Sequence, residues 1–191
     1  MESGEQVPAP NRDAAYFDQW YADMATSPAR DAIVARTLGL PPELQSTSML
    51  TWPGIAEVTE ALRLPPDGLM CVDAVQFAEP PLAALLEFRR LLTPRAQLVL
   101  SCWEAADPAD ERASPRIRAV NLRRDLPAAG FTEVQVHDKP EWREIEHRMW
   151  QEMLAVPADA DAAMVSLQRE GQRSLDTFDS LRRVFATATA P

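Results

Sequence analysis

A chain that performs chemistry must supply acids, bases, nucleophiles or metal ligands, and this sequence offers few of them. Its 191 residues include two histidines, His137 and His147, and two cysteines, Cys71 and Cys102. His137 lies in the alternating stretch FTEVQVHDK, and His147 sits among Glu144, Glu146 and Arg148. Both settings suit solvated surface histidines. No Cys/His/Asp cluster has ligand spacing, so no metal is expected. There is no Gly-x-Ser-x-Gly elbow and no lone cysteine in a basic setting, which leaves nucleophilic catalysis without an anchor. Each cysteine lies in an apolar run, which suits two buried thiols better than a disulfide. What remains is a set of carboxylates, Glu104, Asp107, Asp110 and Glu111, and a set of aromatics. Glu104 is the acid best placed to face a substrate, and the others read as a solvated loop. Trp52 and Trp103 come from a turn and a strand end, where large aromatics suit a pocket wall. Phe17 and Trp20 suit equally a helix packing its stripe on a core.

These residues need elements to position them. Asp13 or Asn11 is placed to cap a helix carrying Tyr16, Phe17, Trp20, Tyr21 and Met24. Ser27-Pro28 opens a second helix that Gly39 and Pro41-Pro42 close. The stretch STSMLTWPG (46–54) is turn-rich, and a short amphipathic helix follows over 55–62. A strand is predicted over 69–72, a helix over 80–92 with proline in its first turn and arginines in its last, and a second strand over 97–102. The polar stretch 104–114 reads as a loop. One helix is predicted over 114–130, breaking at Pro127, then a half-exposed strand over 131–139. Trp142, Ile145, Met149 and Met153 recur at helical spacing, as do Met164, Leu167, Leu175, Phe178 and Leu181, and VFATATA (184–190) reads as a final strand. Helix and strand in alternation predict an α/β fold.

The bulk numbers narrow the partners. A net charge of −10 would repel a phosphate backbone, so nucleic acid is an unsuitable ligand. No apolar stretch reaches the roughly 20 residues that span a bilayer, and MESGEQVPAPNRD has neither the basic start nor the apolar centre of a signal peptide. Residues 1–13 read as a frayed tail, and the expected location is cytoplasmic.

Taken in order, GLMCVDAVQFAEPPLAALLEFRRLLTPRAQLVLSCWEA (68–105), AAGFTEVQV and VFATATA resemble the fourth to seventh strands of the class I S-adenosylmethionine (SAM)-dependent methyltransferases that act on small molecules. YFDQWYADM and STSMLTWPG are similar to the helical cap that closes over SAM and substrate in that family. The resemblance implies a Rossmann-like sheet in the order 4-5-7-6, a cap over 14–66, and a core over 67–191 with inserted helices at 141–181. It places Asp73 and Gln76 on the wall of the SAM methionine site. Around a small-molecule substrate it places Tyr16, Trp20, Tyr21, Trp52, Phe77, Trp103 and Glu104. The sequence departs from the family where the cofactor is held. A glycine-rich turn after the first strand lets the backbone approach SAM, and an acidic residue after the second holds the ribose. The six glycines here, Gly4, Gly39, Gly54, Gly68, Gly130 and Gly171, are too far apart to build that turn. The first three strands have no counterpart between the cap and residue 68. SAM is therefore the cofactor the resemblance implies, and one this chain is not equipped to hold alone. A pocket or partner protein without methylation, and a different small-molecule enzyme on the same fold, are the alternatives. Removal of those strands would also leave 69–72 as an uncovered edge without charge or proline, and the expectation is a homodimer paired through it, or else aggregation, or an N-terminal segment refolded to cover it.

Overall fold

The computed structural model describes residues 21–22, 24, 27–41, 50–62, 68–157, 159 and 163–191. The predicted tail, most of the first aromatic helix with Tyr16 and Trp20, and much of the predicted cap lie outside the described residues.

Alternating apolar runs and breakers build a mixed α/β chain. Helix α1 (Pro28–Leu38) starts where the Ser27 hydroxyl accepts from the Arg30 N–H at 3.2 Å, and it ends at Gly39 with φ of 67°. That left-handed stop is one that glycine adopts without steric cost. Helix α2 (Trp52–Leu62) begins earlier than the turn-rich sequence predicts, so Trp52 belongs to a helix start rather than a loop. Next come strand β1 (Gly68–Val72), a single tight helical turn at Val75–Phe77, helix α3 (Pro81–Leu91) and strand β2 (Gln97–Ala105). β2 runs three residues further than predicted, so Glu104 sits within it.

The predicted helix over 114–130 is two helices, α4 (Pro115–Ala119) and α5 (Leu122–Ala128). The break is at Val120-Asn121 because the Asn121 side chain accepts from the Arg124 N–H while Asp125 accepts from the Asn121 N–H. That reciprocal cap outweighs Pro127, which is tolerated one residue from the helix end. Strand β3 (Thr132–Asp138), helices α6 (Pro140–Ala155) and α7 (Met164–Thr177), and strand β4 (Leu181–Thr189) complete the order. β4 starts three residues before the predicted strand and so takes in Arg182 and Arg183.

The sheet order is β1-β2-β4-β3. β1 and β2 are parallel, and β4 runs antiparallel to both of its neighbours. On one face Leu98, Leu100, Val184 and Ala186 pack against Leu85 of α3 and Leu122 and Leu126 of α5. On the other, Val99 and Phe185 meet Val58 of α2 and Trp142 of α6. A further layer of α1, α6 and α7 has its own core, including Ile33, Leu38, Met149, Met153, Met164 and Leu167. α7 approaches α6 closely at Gly171, where a Cβ would stand 3.1 Å from the Trp150 ring. The helical layer meets the sheet through an edge-to-face contact of Trp103 and Phe178, with ring centroids 5.5 Å apart.

Candidate functional site

Ligands of open α/β sheets sit beyond the carboxyl ends of parallel strands. β1 ends at Val72, opposite Ser101, while β2 runs on to Ala105, and the chain leaves β1 through a sharp turn at Asp73, whose φ is 53° and whose N–H donates to the Ser101 carbonyl at 2.8 Å. A left-handed backbone at a residue other than glycine stores strain and is held only by its surroundings. Those surroundings are specific. Asp73 Oδ1 accepts from the Ser101 hydroxyl at 3.1 Å and lies 2.7 Å from Arg183 Nη1. Asp73 Oδ2 accepts from Arg183 Nη2 at 2.7 Å. Gln76 is buried and donates from Nε2 to the Asp73 carbonyl at 2.9 Å. Both carboxylate oxygens are thus committed within the chain.

Arg183 reaches this point from the β4 residue opposite Trp103, and its side chain is 1% exposed. The guanidinium carbon lies 5.2 Å from the centroid of a Trp103 ring, within cation–π range. α6 supplies the third charged group. Trp142, Glu146, Met149, Trp150 and Met153 share its buried side, so Glu146 is carried inward on an otherwise apolar stripe. Burial pushes the Glu146 carboxyl up to about 7; the nearby Arg183 opposes that rise and Asp73 adds to it. Its Oε2 has no hydrogen-bond partner among the described residues. Burial works against the Arg183 charge, but Asp73 and Glu146 more than offset it and hold the guanidinium firmly protonated. Cys71 and Cys102 are buried free thiols. Burial raises both, Cys102 well above its ordinary value, so neither presents a thiolate at neutral pH.

Arg183 therefore gathers three of the predicted residues, Asp73, Gln76 and Trp103, at one end of the sheet. The others lie apart from them. Glu104 points to the opposite face of β2, 1% exposed. Its Oε1 accepts from the Leu122 N–H at 2.7 Å and its Oε2 from Arg182 at 2.5 Å. The carboxylate thus closes a helix N-terminus from inside the protein. Tyr21, Trp52 and Phe77 are exposed, and Arg116 lies 4.2 Å over the Phe77 ring. His137 is exposed, and the His147 ring centroid lies 4.8 Å from that of Phe178. Among the described residues no group of three or more His, Cys, Asp or Glu side chains could hold a metal, and no helix is long and apolar enough to cross a membrane.

Sequence reasoning missed Arg183, Ser101 and Glu146. A signal existed for two of them. Arg182-Arg183 abuts an apolar strand, and Glu146 stands four residues from both Trp142 and Trp150.

No family model and no curated protein sequence matches the chain. Solved structures do. The phosphoethanolamine N-methyltransferase 2 of Haemonchus contortus, in complex with S-adenosyl-L-methionine, superimposes with a TM-score of 0.50 at 17% identity, over 65% of this chain and 33% of that one. A putative sarcosine dimethylglycine methyltransferase from Galdieria sulphuraria gives 0.49 at 11% identity, over 86% of this chain and 67% of that one. The first likeness establishes a shared fold: a mixed α/β architecture of the Rossmann-like methyltransferase kind. The chain spans about a third of the length of the phosphoethanolamine methyltransferases it resembles.

Proposed function

We propose that this chain is a small-molecule protein of the SAM-dependent methyltransferase type that does not hold the methyl donor by itself, and so does not methylate alone. β1, β2, β3 and β4 are read as the fourth, fifth, sixth and seventh strands of that fold, an assignment supported by the antiparallel last strand inserted between β2 and β3. The observation that carries the reading is the commitment of Asp73. On the resemblance, Asp73 lines the methionine end of SAM; in this chain both of its oxygens are taken by Arg183 and Ser101. Releasing it would strand the guanidinium of a fully buried arginine, and breaking such a pair costs on the order of 3–5 kcal/mol. The residues present thus do not fit the cofactor, and the absent glycine turn agrees with that. Calorimetric titration of the purified chain with SAM and S-adenosylhomocysteine is the test. No saturable heat is expected at micromolar ligand, and a Kd at or below the low micromolar range refutes the reading.

The same reading leaves β1 at the edge of the sheet among the described residues, with Met70 55% exposed. A second copy pairing edge to edge through 69–72 would satisfy its outward backbone groups. Met70→Lys is then expected to shift the protein toward monomer in light scattering. A wild-type monomer at high concentration, with 69–72 open to hydrogen exchange, refutes the dimer.

A further inference from the structure

The charged group beyond the end of β1 brings several acceptors to the neighbourhood of one cation, which is paired with Asp73. Asp73 offers two oxygens in a fork, Trp103 offers a ring face, and Glu146 offers a carboxyl whose Oε2 is buried and unpartnered. Gln76, also buried, carries a second unpartnered acceptor, Oε1. The Asp73 fork is held before any cation arrives: Ser101 fixes one oxygen from β2, and the Gln76 amide fixes the turn that carries it. A planar guanidinium set against a carboxylate, with an aromatic face nearby, is a common way for proteins to recognise such groups, and here one hydrogen bond and one close ion-pair contact join Arg183 to Asp73.

We propose that this end of the sheet is a binding site for a guanidinium-type cation and that β4 fills it in cis with Arg183. The side chain acts as a tethered ligand: Nη2 donates to Asp73 Oδ2, Nη1 stands 2.7 Å from Asp73 Oδ1 and the head lies over Trp103, and the backbone of β4 supplies it at high effective concentration. The site is therefore closed to free cations in the intact chain and opens when the Arg183 head is removed. This goes beyond the reading on the methyl donor, because it concerns a cation and this chain's own acceptors.

The test is rescue of the full-length Arg183→Ala variant by ethylguanidinium, with ethylurea as a neutral control of similar shape and sodium chloride matching the ionic strength. Thermal unfolding and calorimetry are read at millimolar solute, well below denaturing concentrations. Saturable binding of ethylguanidinium by Arg183→Ala is expected, at least about tenfold tighter than that of ethylurea, and the wild type should show none. Asp73→Asn in the Arg183→Ala background should abolish that preference. Equal response to the two solutes overturns the proposal, as does rescue that persists without Asp73. Should Arg183→Ala be unfolded in buffer, refolding by ethylguanidinium alone supports the proposal and failure to refold in either solute overturns it. Arg183→Lys adds an independent reading. An ammonium cannot match the planar fork, so this variant should be less stable than wild type and remain unresponsive to ethylguanidinium; wild-type stability of Arg183→Lys would mean that any cation serves, and would overturn guanidinium recognition.

Discussion

Glu146 makes the stability of this protein depend on pH in a direction opposite to that of most carboxylates. In the unfolded chain the carboxyl titrates near 4.5, and in the folded protein burial raises it to about 7. Between those values the native state keeps a proton that the unfolded state has released. Stability therefore falls as pH rises through this window, and levels off above pH 7. At about 1.4 kcal/mol per pH unit the whole window is worth about 3 kcal/mol. The opposing group is Arg183 from β4, with Asp73 beyond β1 acting in the same sense as burial. Glu146→Gln keeps the shape of the protonated side chain and removes its titration. Urea unfolding of both proteins at pH 4.5, 6 and 8 isolates the effect, since every other carboxylate is shared. The variant is expected to match wild type near pH 4.5 and to exceed it by about 3 kcal/mol at pH 8. Parallel curves across that range would refute a buried, proton-holding Glu146. A variant that loses stability relative to wild type as pH rises would refute the sign.

Two further outcomes follow from single positions. The Thr93–Ala96 turn is closed by the Ala96 N–H donating to the Thr93 carbonyl, with Arg95 at φ of 70°, so Arg95→Gly should relieve the left-handed backbone and stabilise by about 0.5–1 kcal/mol in thermal unfolding; a neutral or destabilising result would remove strain from the account. Trp103→Ala takes away both the face over which Arg183 lies and the edge contact to Phe178, and should cost about 3 kcal/mol by urea unfolding, whereas a loss under about 1 kcal/mol would return Trp103 to the role of a pocket wall.

The apolar runs made most of the architecture readable. The α/β alternation, both parallel strands and the cap at Ser27 follow from local pattern, since breakers such as Thr93-Pro94 and Gly39 act within a few residues. The helix break at Asn121 was obscured by the louder signal of Pro127, although the Asn121/Asp125 pair was present. The site was legible only in part. Asp73, Gln76 and Trp103 were read from a resemblance, and what binds them together is Arg183, 110 residues away from Asp73 along the chain. Pattern reading assigns arginines to solvent, and only tertiary pairing can bury one. Glu104 failed for the related reason that a charged residue after an apolar run reads as the end of a strand. In this protein the strand continues, and the charge is met by Arg182 and a helix amide.

The placement of β4 has a consequence for how the molecule is made. Among the described residues β2 and β3 are joined through this strand alone, and its pairs reach back from Thr189 to Gln97, a separation of 92 residues. During synthesis from the N-terminus, β1-β2 on one side and β3 on the other must wait with exposed edges until residues 181–189 have emerged. The sheet closes from its middle and last, so the edge N–H and C=O groups of β2 and β3 stay unpaired until β4 arrives. Contacts of such long range slow folding, and a stall before residue 181 would leave the β1-β2 pair and the single strand β3 without the strand that joins them.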